Sequence, residues 1–127
     1  GLEKGYLLLT LSYIYQDNKK KIVDILNENI HSLDVYEKVD AYIGLIILGY
    51  DSYLEEVLKF LESSEYYVRC AVLNMLSELI QNNLIKKEDF KTIVNVVNKI
   101  CDKEETQAVN SSIQHLFEII NLEIGDK

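Results

Sequence analysis

Proline is absent from this chain of 127 residues, and so is tryptophan. β-Sandwiches and loop-rich folds use proline in turns and at sheet edges, so its absence leans toward helices. Arginine occurs once, at Arg69, and the formal net charge is −8. Nucleic-acid binding depends on Lys and Arg neutralising phosphates, so a chain this acidic is expected not to bind nucleic acid. Lys19-Lys20-Lys21 and Lys86-Lys87 are the local exceptions, and both fall at predicted turns beside carboxylates, where they read as solvated charge. An acidic surface suits a basic protein partner, because complementary fields speed encounter and suppress wrong partners.

Groups that carry chemistry are equally sparse. The two cysteines, Cys70 and Cys101, have no second pair, which is neither a disulfide framework nor a zinc pattern. Two histidines, His31 and His115, lie far apart, with nothing in the spacing to bring further ligands to them. No glycine-rich phosphate loop and no His-Glu-x-x-His is present. The adjacent carboxylates Glu55-Glu56 and Glu104-Glu105 would point about 100° apart on a helix, so they cannot share a proton and read as surface. No catalytic residue, metal ligand or cofactor site is expected, and the chain is read as not an enzyme. The Asn110-Ser111-Ser112 sequon falls inside a predicted helix and reads as chance.

Long hydrophobic runs are missing too. The most apolar stretches, 7–15 and 41–50, fall short of the roughly 18 residues that a membrane span needs. Neither resembles a signal peptide, so a cytoplasmic setting without membrane contact is expected. The chain opens on Gly1-Leu2, not methionine, which leaves room for a longer parent protein.

What is present is helical periodicity. Hydrophobic residues make up 48% of the chain and charged residues 27%, which suits one folded domain over 1–127. Leu7, Leu8, Leu11 and Ile14 predict a first helix over 3–16, and Ile22, Ile25, Leu26 and Asn29 a second over 19–30. Asp34 with Glu37 has capping-box spacing and opens a third over 34–50, with Val39, Ile43, Ile46, Ile47 and Tyr50 inward and Gly44 and Gly49 admitting a close neighbour. Ser52 with Glu55 predicts a second capping box and a short helix ending before Ser63-Ser64. Three more are expected over 65–81, 87–101 and 106–122. The last would cover the sixth helix with its apolar face and turn Gln107, Asn110, Gln114, Glu118 and Asn121 outward.

One phrase recurs through these helices. Its sharpest copy is Val68-Arg69-Cys70-Ala71, followed by Leu76-Ser77 and Leu79. Leu48-Gly49 repeats the Leu-small pair, Ser111, Leu116 and Ile119 repeat the small-Leu-apolar set, and Leu11-Ser12 with Ile14 opens the series. The phrase resembles the first helix of a HEAT repeat, in a family that includes the armadillo type, with periods of about 40–47 residues. The family's Asp-Pro turn is missing, and Val-Arg occurs only once. The resemblance implies an all-α fold: a short right-handed α-α superhelix of about three hairpins with a C-terminal capping helix.

It also implies binding as the activity. In such stacks the second helices line a concave, partner-binding face, which here would place Asp24, Glu28, Glu55, Glu56, Lys59, Glu62, Asn95 and Lys99 toward a partner. Nine tyrosines add a second signal. Most are expected to fill gaps between hairpins, and Tyr66-Tyr67, adjacent at a helix start, are the pair expected to be exposed for binding. A non-catalytic protein–protein scaffold is the leading expectation. The alternative is an acidic immunity protein that neutralises a basic toxin such as a nuclease, since HEAT-like folds occur among such proteins. A stacked-helix DNA glycosylase is set aside, because its basic, aromatic-lined surface does not fit one arginine and no tryptophan.

Overall fold

The computed structural model describes residues 19–30 and 33–125. The expected first helix over 3–16, with Tyr13, Tyr15 and the opening copy of the phrase, lies outside the described residues, as does His31. Among the described residues all regular structure is helical: α1 (Lys19–Asn29), α2 (Val35–Ile47), α3 (Leu54–Lys59), α4 (Tyr66–Gln81), α5 (Phe90–Cys101) and α6 (Gln107–Gly125). Single 3-10 turns at Asp51–Tyr53, Phe60–Glu62 and Lys87–Asp89 flank α3 and lead into α5. The chain divides into two compact units, with the boundary between Val57 and Leu58.

In the first unit, helix α2 starts as the sequence dictates. The Glu37 amide donates to Asp34 Oδ1 at 2.9 Å, and the Asp34 amide donates back to Glu37 Oε1 at 3.1 Å. The reciprocal box satisfies two amides that a helix start otherwise leaves without partners. The helix ends earlier than the expected 50. Gly49 takes φ +101°, its amide donates to the Ile46 carbonyl at 2.9 Å, and that of Tyr50 to Leu45 at 3.1 Å. This is a Schellman turn, which glycine enters without the Cβ penalty of the left-handed region. Gly49 is therefore a stop signal and not a close-packing residue: a Cβ built there meets nothing within 4 Å. Gly44 lies buried in mid-helix.

Apolar burial runs round most of α2, beyond the single stripe expected. Ala41, Leu45 and Leu48 join Ile30 and Leu33 in one cluster, against which Val23 and Ile25 of α1 pack. Val39, Ile43, Ile46 and Ile47 are buried on other sides of the helix, whereas Tyr50 is exposed. Tyr42 and Tyr53 stack at 5.8 Å beside the cluster, and the Tyr53 hydroxyl donates to Asn27 Oδ1 at 3.2 Å. These two follow the gap-filling role, with ring bodies covered and a hydroxyl still partnered.

The second expected capping box does not form. Ser52 sits inside the Asp51–Tyr53 turn, whose entry has no side-chain cap. Tight i→i+3 bonds, from the Tyr53 amide to the Tyr50 carbonyl and from Leu54 to Asp51, lead the backbone into α3 with no side-chain cap.

The second unit is built on α4. Val68, Val72, Leu73, Leu76, Leu79 and Ile80 are buried, and Ser77 among them. Asn82 and Asn83 close the helix in a second Schellman turn, with Asn83 at φ +59° and the Leu84 amide donating to Leu79 at 2.9 Å. Helix α6 buries Val109, Ile113, Leu116, Ile119 and Ile120. It packs chiefly against α4 and only secondarily against α5, the neighbour it was expected to cover. Its outer residues Gln107, Asn110, Gln114, Glu118 and Asn121 are all exposed. With no proline available, α6 continues past the expected 122 to Gly125 and carries Leu122 and Ile124 into solvent. Both cysteines are free and half-buried.

Two side chains are held at a cost. Ser77 is 2% exposed, and its Oγ has no hydrogen-bond partner. Removing a buried, unsatisfied hydroxyl while keeping the small volume should help, so Ser77→Ala is expected to raise unfolding free energy by about 1 kcal/mol in urea titration. Half-burial lifts the Asp40 carboxyl above its ordinary range, and the carboxylates of Asp34 and Glu37 lift it further. A group raised in the folded state stabilises most when protonated and loses that contribution as pH rises through its folded value. Asp40→Asn, which mimics the neutral acid, is therefore expected to be more stable than the unaltered chain at neutral pH. The advantage should shrink as pH falls toward 3.8, the group's ordinary value.

Candidate interaction site

Arg69, the one arginine, is second in the recurring phrase and sits in the first turns of α4. Its Nε donates to Glu104 Oε1 at 2.8 Å and its Nη2 to Glu104 Oε2 at 3.0 Å. Nη1 donates to the Ser63 carbonyl at 2.7 Å. Glu104 Oε2 also accepts from the Thr106 amide at 3.1 Å, and the Glu104 carbonyl accepts from Asn110 Nδ2 at 3.2 Å. One fork-to-fork pair thus ties three segments together: the turn before α4, the start of α4, and the α5–α6 connection. The side chains keep 15% and 4% of their exposure. Glu104, read from sequence as surface, is buried and paired, while Glu105 beside it is exposed.

Hydrogen bonding from the Arg69 guanidinium holds the Glu104 carboxyl below its ordinary range, helped by the Thr106 amide and opposed by burial. The same bond raises Arg69, which stays charged throughout. A lowered carboxyl contributes stability above its unfolded value and loses it as pH falls through its folded one.

Around this pair opens a cleft of about 840 Å³. Leu61 and Ile100 supply apolar lining, and Glu62, Glu105, Lys99 and Lys103 charge it with two carboxylates and two ammonium groups. The structure therefore brings Glu62 and Lys99 to one place. Glu62 reaches it from the 3-10 turn after α3, not from the helix itself. Lys59 on α3 and Asn95 on α5 are exposed but outside the lining. Asp24 and Glu28 on α1 and Glu55 on α3 are exposed in the first unit, where Glu56 is half-buried. Tyr66 and Tyr67 are exposed at 50% and 45% and meet edge to face, with centroids 5.6 Å apart.

His115 is exposed, and no group of three or more His, Cys, Asp or Glu among the described residues could hold a metal ion. No helix among them is long and apolar enough to cross a membrane. Comparison with protein-family models, curated proteins and solved structures gives no match for the chain.

Arg69→Gln leaves the half-buried Glu104 without its counter-charge and is expected to cost about 2 kcal/mol, the range for a hydrogen bond to a charged group. Chemical denaturation across pH checks the origin. The gap to the unaltered chain should narrow as pH falls below about 4.5, the ordinary glutamate value, because protonation removes the pair in one chain and little in the other.

Proposed function

We propose that the chain is a non-catalytic, HEAT-like binding scaffold for a protein with a basic surface. The observation that carries this is electrostatic. The chain carries a net charge of −8, and Asp24 and Glu28 on α1, Glu55 on α3 and Glu62 just beyond are among its exposed carboxylates. Long-range fields from such carboxylates favour encounter with a cationic protein and oppose nucleic acid.

Packing of α6 chiefly on α4, across the intervening α5, supports the stacked-hairpin reading. In a repeat stack, first helices lean on first helices and second helices are left to face a partner.

The test is charge reversal. Asp24→Lys, Glu28→Lys, Glu55→Lys and Glu62→Lys together should slow association with a basic partner, purified by capture at low salt, by tenfold or more in surface plasmon resonance. The unaltered chain should associate more slowly as salt rises. Equal rates for both chains at every ionic strength would remove the proposal. A nuclease toxin as that partner, inhibited on binding, would make the scaffold an immunity protein.

A further inference from the structure

We infer that the Tyr66–Tyr67 pair is the anchor that receives an arginine-bearing segment of the basic partner; this rests on the binding reading above and names where the contact is centred. Helix α4 begins at these two rings. Its core is made from Val68 onward, whereas Tyr66 and Tyr67 leave half their surface in water. Their planes stand 77° apart in an edge-to-face contact, so the edge of one ring lies against one face of the other and each ring keeps its remaining exposure for a ligand. A cation lodged against either face meets the negative side of the ring quadrupole, and a planar guanidinium also stacks, which an ammonium cannot do.

Local charge fits the same occupant. Glu65, exposed at the N-cap position, offsets the positive end of α4, and Glu62 is exposed one turn earlier in the chain. Arg69, the nearest cation on the helix, is fully engaged by Glu104 and the Ser63 carbonyl and does not compete. Lys99 and Lys103 line the cleft together with Glu62 and Glu105, so the acid beside the rings that lies outside that lining is Glu65. The platform is also stiff. Ser63 Oγ accepts from the Glu65 amide at 3.2 Å, while Arg69 pins Ser63 to Glu104, so little backbone freedom remains to be lost on docking. Tyrosine rings add contact area at low rotamer cost.

The experiment is an NMR titration of the intact chain at low salt with three peptides of equal length: arginine-rich, lysine-rich, and a neutral Gly/Ser control. The arginine-rich peptide should move the Tyr66 and Tyr67 ring signals most and bind several-fold tighter than the lysine-rich one. A Tyr66→Leu, Tyr67→Leu double variant, still folded by circular dichroism, should weaken binding about fivefold, and Tyr66→Phe, Tyr67→Phe should retain it. Shifts confined to the surroundings of Asp24, Glu28 and Glu55, with the leucine variant unaffected, would overturn the anchor while leaving the acidic scaffold intact. No binding of either basic peptide would remove both.

Discussion

The bidentate contact between Arg69 and Glu104 decides more of the second unit than any other polar interaction. Three helices with apolar stripes can slide along one another, because burial has no direction. A guanidinium seated on one carboxylate and one carbonyl does have direction. It sets the start of α4 against the α5–α6 connection and fixes the turn at Ser63. Both partners of that fork line the cleft, together with Glu62 and Lys99. Each partner relies on the other: a half-buried charge left alone loses its charge-assisted hydrogen bonds.

Burial elsewhere grades with position in the packing. Buried residues of α5 occupy a narrow stripe, Phe90, Ile93 and Val97, and those of α6 a wider one. At about 100° per residue, those of α4 cover about half the circumference, and those of α2 nearly all of it. A helix apolar all round is a covered helix, and one with a single stripe lies at a surface. This grading leaves polar residues of each surface helix in solvent, Asp24, Asn27 and Glu28 on α1 and Asn95, Asn98 and Lys99 on α5.

Much of this was legible residue by residue. Asp34 and Glu37 announce a helix start because both halves of their box lie within one turn. Asn82-Asn83 announces a stop, and the outer face of α6 was readable from periodicity alone. Exposure of Tyr66 and Tyr67 was readable from their place ahead of the first core residue, Val68. The misreadings share a cause. Ser52 matched a local pattern that 3-10 bonds made unnecessary, and Gly49 matched a small-residue slot while its φ assigned it to a turn. In both, spacing was right and the backbone path was not encoded in spacing.

Among the described residues, sequence by itself determined the helices, their order, most of their ends and the acidic balance, since these depend on periodicity, caps and charge acting over a few residues. Tertiary structure alone decided that Glu104 is a buried partner and not a surface acid, that α6 leans on α4, and that Glu62 and Lys99 line one cleft. Those facts join residues about thirty or more positions apart. Their energies depend on distance and desolvation after folding, and no local pattern records either.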